Sequence, residues 1–414
     1  MRLLFLTMSG IGDVSERGIY TDLLREFRDR GDSVYVVTPC ERRQERATAL
    51  SVEDGITVLR VRTGNLTKVG TAEKAVSTLL VERQFIRAIA EYLSDVKFDL
   101  VIYSTPPVTF DRVVRYVKRR DGSRTYLLLK DIFPQNAVDL GMIARGGLVW
   151  RYFRAREKRL YALSDHIGCM SAANVRYVLD HNPQVPASKV EVCPNSISPV
   201  PVRPRGECVD SLPRNAYGIP PDSMLMILGG SLGAPQGLDF LLEALEECRE
   251  REDLFFLIVG SGTEYRRIES RIESAGCSNA RLVGSLPKAD YDALIAECDV
   301  GLIFLDPRFT IPNFPSRLTA YMEAAVPVVA ATDRCTDIRE VLEESGCGIW
   351  LRNGDLDGFV AAVDRLSADT VLRQEMGRRG RTFLEAHYTV ASAYEIVTAH
   401  MAGEWAADCQ EAVS

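Results

Sequence analysis

No stretch of this 414-residue chain stays apolar for the ~20 residues that a membrane-spanning helix requires. The opening run Met1-Arg2-Leu3-Leu4-Phe5-Leu6-Thr7 is too short for a signal peptide or a span, so the expected setting is the cytoplasm. Histidine is scarce. The four residues, His166, His181, His387 and His400, are scattered, with no His-x-x-x-His spacing, and no metal ligand is assigned. Cysteine is plentiful at ten residues, yet no Cys-x-x-Cys pair occurs, which favours buried reduced thiols over disulfides. Also missing are a Walker Gly-Lys-Ser/Thr loop and a dinucleotide Gly-x-Gly-x-x-Gly at the first strand. No Asp-x-Asp metal motif is read at a strand end, and there is no low-complexity segment or short repeat.

What is present describes an ordinary soluble globular protein, with 46% hydrophobic and 26% charged residues. The length exceeds one ordinary core and predicts two domains or three. Charge is uneven: residues 1–200 hold 30 basic and 23 acidic side chains, and the remainder 20 and 34. The net charge of −7 argues against general nucleic-acid binding, while the first half is basic enough to favour an anionic surface.

Strands and helices alternate. Arg2–Thr7 reads as a strand, Gly18–Arg30 as a helix, and Ser33–Thr38 as a strand ended by Pro39. A helix follows over Thr71–Ser94, then strand Asp99–Tyr103, helix Val108–Arg119, strand Tyr126–Leu129 and helix Gly147–Leu163. Strands His166–Met170 and Lys189–Cys193 close this half. Prolines 194, 199, 201, 204, 213, 220 and 221 then mark a linker, with a boundary near Ser198. Alternation resumes with strands Met224–Leu228, Leu254–Val259, Ala280–Val283, Val300–Phe304, Val328–Ala331 and Gly348–Leu351, and helices such as Leu238–Arg249, Thr263–Ala275 and Ser316–Ala325 lie between them. Apolar strands alternating with helices predict parallel sheets covered on both faces. The fold class is therefore α/β, with two Rossmann-like doubly wound domains and a ligand cleft at the carboxyl ends of their strands. The expected domains are 1–198 and 199–386, followed by a C-terminal helix within 387–414 that packs back on the first domain.

Four strand ends of the second half carry loop chemistry. Met224–Leu228 runs into Gly229-Gly230-Ser231-Leu232-Gly233-Ala234-Pro235-Gln236-Gly237, where glycines bring backbone N–H groups close to a phosphate. A tight turn would use the same glycines. Val259-Gly260-Ser261-Gly262 repeats the pattern, and Val283-Gly284-Ser285-Leu286-Pro287 leaves backbone exposed. The fourth is Ile311–Thr332, with a helix start at Phe314-Pro315-Ser316-Arg317 and a carboxylate, Glu323, near the helix end. The helix dipole favours anions at helix starts, not at their ends. A buried carboxylate needs donors, which either a ligand or a nearby arginine would supply.

In this order Gly230-Ser231-Leu232-Gly233, Gln236-Gly237-Leu238, Val259-Gly260-Ser261-Gly262, Val283–Pro287 and Pro315-Ser316-Arg317…Glu323-Ala324…Pro327-Val328 form a recognisable series. It resembles the second domain of family 4 glycosyltransferases, whose GT-B fold sets two such domains across a cleft. Leu129-Lys130-Asp131-Ile132-Phe133-Pro134 and Gly233–Leu238 look most like the bacterial subgroup that builds surface polysaccharides, including N-acetylfucosamine transferases. The resemblance implies a retaining, metal-independent hexosyltransferase that takes its sugar from a nucleotide diphosphate sugar, UDP-linked, with no cofactor beyond that donor. It implies that Glu323, second carboxylate of a Glu–seven residues–Glu motif, accepts hydrogen bonds from ribose hydroxyls. The backbone from Val283 to Leu286 would read the base. Gly18, Gly230, Ser231, Gly233, Gln236, Gly260, Gly262 and Ser316 would line the donor.

The chain departs from the pattern in places. Pro315 stands where the first glutamate belongs, and Ser231 and Gln236 replace the arginine and lysine that clamp the diphosphate in many relatives. Negative charge still develops on the leaving diphosphate, so a cation is needed. Arg317 is the candidate; a solvent-facing arginine is the plain alternative. Arg17-Gly18 stands where relatives often carry two glycines. Asp131 either orients and deprotonates the acceptor hydroxyl or caps the turn before Pro134. Val149–Tyr161 is basic and aromatic at helical spacing, and Arg115, Lys118, Arg119, Arg120 and Arg124 form a second basic cluster. Such a face either lies on an anionic membrane, with a lipid-linked acceptor, or is a solvated helix with its aromatics inward. Two other classes share the fold. An epimerase would need more ionisable groups around the sugar than this chain offers. A non-catalytic nucleotide-sugar-binding subunit would suit the losses at Ser231, Gln236 and Pro315.

Overall fold

Apolar runs such as Leu3-Leu4-Phe5-Leu6 and Leu225-Met226-Ile227-Leu228 bury both faces of their strands, and that requirement produces two separate, largely parallel sheets. The computed structural model describes residues 1–66, 70–202 and 214–401. The chain divides into one unit of Met1–Ser198 with the segment from Val390 onward, and a second of Pro199–Thr389. Residues 203–213 of the expected linker and the 402–414 end of the expected last helix lie outside the described residues.

In the first unit β1 (Arg2–Leu6), α1 (Ile19–Asp29) and β2 (Ser33–Glu41) lead into the hairpin β3 (Ala49–Glu53) and β4 (Ile56–Thr63). The chain continues through α2 (Thr71–Tyr92), β5 (Leu100–Ser104), α3 (Asp111–Asp121), β6 (Arg124–Leu129), α4 (Gln135–Asp139), α5 (Leu148–Leu163), β7 (His166–Cys169), α6 (Ala172–His181) and β8 (Val190–Val192). The sheet order is β3-β4-β2-β1-β5-β6-β7-β8, parallel except for β3 on β4. Pro39 does not end the second strand as expected, because β2 runs on to Glu41 along β4. The carbonyl of Val37 accepts from Thr7, just after β1, so Pro39, two residues on, presents its missing N–H to the same side, beyond the last β1 partner. No ladder bond is lost there.

The second unit contains β9 (Met224–Ser231), α7 (Leu238–Glu247), β10 (Leu254–Ser261), α8 (Tyr265–Ala275), β11 (Ala280–Val283), α9 (Lys288–Ala296) and β12 (Val300–Phe304). Then come α10 (Arg317–Glu323), β13 (Val328–Thr332), α11 (Ile338–Ser345), β14 (Gly348–Arg352), α12 (Leu356–Ala368) and α13 (Thr370–His387). All six strands are parallel, in the order β11-β10-β9-β12-β13-β14. Direction reverses between β9 and β12, and in a doubly wound sheet the crevice outside that switch point is where ligands bind. The loop after β9 and the segment from β12 to α10 flank it.

The last helix, α14 (Val390–Ala399), belongs to the first unit. Val390, Ala393 and Val397 complete a core with Phe5, Phe27, Val36, Ile102, Tyr126 and Leu128. The chain leaves this unit after Ser198 and re-enters at Val390, whose N–H donates to the Ile197 carbonyl at 3.0 Å. Among the described residues no helix is long and apolar enough to cross a membrane.

Candidate active site

β9 and β10 run side by side to their last residues, pairing Gly230 with Gly260 and Ser231 with Ser261. A Cβ on Gly260 would overlap the Gly230 carbonyl oxygen, and one on Gly262 would overlap the carbonyl of Leu232. These two glycines thus have a packing reason of their own: they let the two loops interlock. Gly230 differs. Its φ of 106° is hard for other residues to adopt, and the nearest atom to a Cβ there would be Nη2 of Arg317 at 3.7 Å. Gly233 has only ordinary contacts.

Arg317, first residue of the short helix α10, reaches back across the switch point. Its Nη2 donates to Oε1 of Gln236, 81 residues earlier in the chain. Its Nη1 is buried and has no hydrogen-bond partner among the described residues. A buried cationic N–H without an acceptor is costly, so this nitrogen is shaped for an anion. Gly230, Gln236 and Arg317 are therefore brought together, with the exposed Ser231 adjoining. The solvent-facing alternative for Arg317 does not describe this half-buried side chain.

The neighbouring loops are tied to each other. Ser285, within the exposed stretch between Val283 and Leu286, donates to Ser261 at 2.9 Å. The exposed Ser316 offers its carbonyl to Thr319 rather than capping α10 with its side chain. Two tyrosines that sequence reading missed lie beneath the glycine loop. The Tyr321 hydroxyl sits among backbone groups of β9 and β12, donating to Ile227 at 3.1 Å. A Cβ on Gly229 would overlap the Tyr291 hydroxyl. Gly229 and Gly301, against which the Tyr321 ring lies, were the only traces of these rings in the sequence.

Glu323 is buried at the end of α10, and the protein supplies partners for it. Its Oε1 accepts from the Val200 N–H at 3.1 Å, and its backbone carbonyl accepts from Nη1 of Arg381 at 2.9 Å. A carboxylate has several acceptor sites.

In the first unit Asp131 follows β6. Both its carboxylate oxygens accept from Nδ2 of Asn136 at 2.8 Å, and Thr105 Oγ1 accepts from the Lys130 and Asp131 N–H groups. Burial raises the Asp131 carboxyl to about 6, against the pull of the Ile132 N–H and Asn136. Burial likewise lowers the adjacent Lys130 ammonium to about 8. Lys130 carried no role in the sequence reading. Gly18 precedes α1. Its φ of 177° is plain extended backbone, and its N–H donates to the buried Asp22 carboxylate at 3.0 Å.

The basic stretch 149–161 splits in two. Arg156 is buried between Glu82 and Asp111, and Arg154 bonds Glu157 and the His181 carbonyl. Arg151, Lys158 and Arg159 are exposed, beside Leu148 at 85% and Val149 at 55% exposure. Cavity size does not mark the site, because a cavity of about 610 Å³ beside β14, lined by Arg334, Arg339, Trp350 and Arg352, shares no residue with it.

Comparison with known proteins identifies the class. Residues 19–196 match the family model for a glycosyl transferase 4-like domain, and residues 212–383 that for glycosyl transferases group 1. The chain is a glycosyltransferase of the GT-B type, built from these two domains of the family. A probable glycosyltransferase of Pseudomonas aeruginosa, WbjE, is 23% identical over 70% of this chain and 71% of its own length. A putative colanic acid biosynthesis glycosyl transferase of Escherichia coli K12, WcaI, is 25% identical over 72% of this chain and 70% of its own. Sucrose-phosphate synthase of Thermosynechococcus elongatus shares the fold at a TM-score of 0.75 and 16% identity, covering 98% of this chain and 100% of that one. Anabaena HepE, in complex with UDP and glucose, gives 0.70 at 16% identity, over 97% and 99%.

Proposed function

We propose that the chain transfers a sugar from a nucleoside diphosphate sugar, UDP-linked, to a glycan acceptor in bacterial surface polysaccharide biosynthesis, with retention of configuration. The observation that carries this reading is Arg317: one guanidinium nitrogen held by Gln236, the other buried and unpartnered, beside the positive-φ Gly230. As the glycosidic bond lengthens, charge moves onto the diphosphate. Arg317 is the group to receive it, taking the part that a divalent cation plays in metal-dependent transferases. The exposed Gly230 and Ser231 lie beside it. Glu323 accepts from the ribose hydroxyls, and the 283–286 backbone meets the base.

Asp131, raised to about 6, is ionised at neutral pH yet still basic enough to accept a proton from an acceptor hydroxyl. The names of WbjE and WcaI, and a neighbouring structure holding UDP and glucose, support the choice of donor and pathway. N-acetylfucosamine transfer remains the subgroup to test first among sugars. The exposed Leu148, Val149 and Tyr152 with Arg151, Lys158 and Arg159 form an amphipathic face suited to an anionic membrane, which would bring the enzyme to a lipid-linked acceptor.

The deciding experiment measures UDP release from a panel of UDP-sugars with and without a lipid-linked diphosphate-sugar acceptor. Acceptor-dependent release is expected. Sugar isomerisation without release would make the chain an epimerase, and tight binding with no turnover would make it a binding subunit. Replacing Arg151, Lys158 and Arg159 by glutamate should abolish sedimentation with anionic vesicles while donor binding persists. Undiminished sedimentation would return this face to solvent.

A further inference from the structure

Two of the four histidines, far apart in sequence, meet in the first unit. His166 opens β7, and His400 follows the last residue of α14. Their rings stack with centroids 3.6 Å apart and planes 14° from parallel. Nε2 of His400 lies 2.9 Å from Oε1 of Glu191 in β8. One ring nitrogen from each histidine and one Glu191 oxygen all stand within 4.8 Å of one another.

Sheet register explains the meeting. Tyr126 pairs with His166 across β6 and β7, and Leu128, Gly168 and Glu191 fall in line across β6, β7 and β8. Side chains alternate with a period of two, so Tyr126, His166 and Glu191 project from one face. That is the face α14 covers, since Tyr126 and Leu128 share a core with Val390, Ala393 and Val397. Gly168 clears the way. A Cβ there would stand 2.7 Å from the Tyr126 hydroxyl, which instead passes over β7 to donate to Glu191 Oε1 at 2.8 Å.

The group is not explained by its own bonds. Nδ1 of His166 is buried with no hydrogen-bond partner among the described residues. Two imidazoles and a carboxylate are a ligand set for a borderline divalent cation of the zinc kind, and a poor one for magnesium, which prefers oxygen throughout. Around a tetrahedral ion with bonds of about 2.1 Å, ligand atoms stand about 3.4 Å apart, so binding would draw the three atoms together and turn the stacked rings out of parallel, because each imidazole lone pair lies in its ring plane. Tyr126 would orient the carboxylate, as outer partners of metal ligands do. We infer that His166, Glu191 and His400 bind a zinc-class divalent cation that fastens the end of α14 to β7 and β8. The fourth position falls to water.

The test uses the full chain, stripped with a chelator and titrated with Co²⁺ as a spectroscopic probe and with Zn²⁺. One equivalent of Co²⁺ should bind with tetrahedral ligand-field bands, and Mg²⁺ should not compete. Amide exchange in Val390–Ala399 should slow when Zn²⁺ is added. His166→Ala and His400→Ala should each weaken Zn²⁺ binding by about a hundredfold or more, and Tyr126→Phe by roughly tenfold, since even outer partners are worth about ten- to a hundredfold. Absence of stoichiometric Co²⁺ binding, or exchange in α14 that ignores Zn²⁺, overturns the inference on the unaltered chain. Binding that survives both histidine substitutions overturns it as well. None of these readouts depends on transferase activity.

Discussion

The two units share a scaffold and differ in what they set on it. Each central strand, β1 or β9, has the chain wound away on both sides. In the second unit the end of that strand is open at Gly230 and Ser231 and is crossed by the Arg317 guanidinium. In the first unit the corresponding loop is closed on itself, with the Gly18 N–H spent on Asp22. Its adjustable chemistry sits further along, at Lys130 and Asp131. Similar topology thus carries a cation beside the central strand in one unit, and a raised carboxyl next in sequence to a lowered ammonium in the other.

Removing that cation should have the largest effect. Arg317→Ala is expected to lower the catalytic rate by about a hundredfold or more while changing the Michaelis constant less, because its contact strengthens as charge develops. Arg317→Lys should recover only part, keeping the charge but losing the planar fork. Steady-state kinetics with the preferred donor decides this, and a near-parental rate for the alanine variant would erase the contrast between the units. Glu323→Ala should follow, weakening nucleotide binding by about 1.5–3 kcal/mol, roughly ten- to a hundredfold, by calorimetry. Glu323→Gln keeps an acceptor for Val200 and separates the two roles: a fold held by that bond would survive in it, while ribose affinity would still drop.

The glycines sharpen the comparison within the second unit. Gly262→Ala should lower unfolding stability by about 1–3 kcal/mol, since its Cβ overlaps backbone, whereas Gly233→Ala should change it by less than about 0.5 kcal/mol. Denaturant titration of both variants is enough. For the first unit the prediction is a pH profile. If Asp131 accepts the hydroxyl proton, turnover should fall about fivefold between its raised pKa of about 6 and one unit below, and Asp131→Asn should flatten that limb. Stability carries the opposite sign. The folded chain holds this proton more tightly than the unfolded one, so the ionised group costs stability above about pH 6, and the cost fades as pH falls toward the ordinary carboxylate range. Asp131→Asn should therefore melt higher than the parent at pH 7.5 and lose that advantage near pH 4.

The sheets were legible because burial on both faces writes continuous apolar runs. The hairpin β3–β4 was not. Its outer strand Ala49–Glu53 is short and mostly exposed, and its one signal was Asp54-Gly55, both in left-handed backbone at φ 47° and 74°. At the site, loop positions could be read from strand ends, but the bond joining Gln236 to Arg317 spans 81 residues and leaves no local trace. Spacing along the chain was equally silent on His166, Glu191 and His400, because the sheet register and the return of α14 create their proximity.

That return also sets an order of events during synthesis. The first unit needs residues from both ends of the chain, while the second is one uninterrupted segment, Pro199–Thr389. On the ribosome the second unit can finish while the first still lacks Val390, Ala393 and Val397 from its core. At roughly 5–20 residues per second the interval between residues 198 and 390 is about 10–40 s. For that time an apolar face of the nascent sheet stays uncovered and open to a chaperone, so the domain translated first is the last to mature.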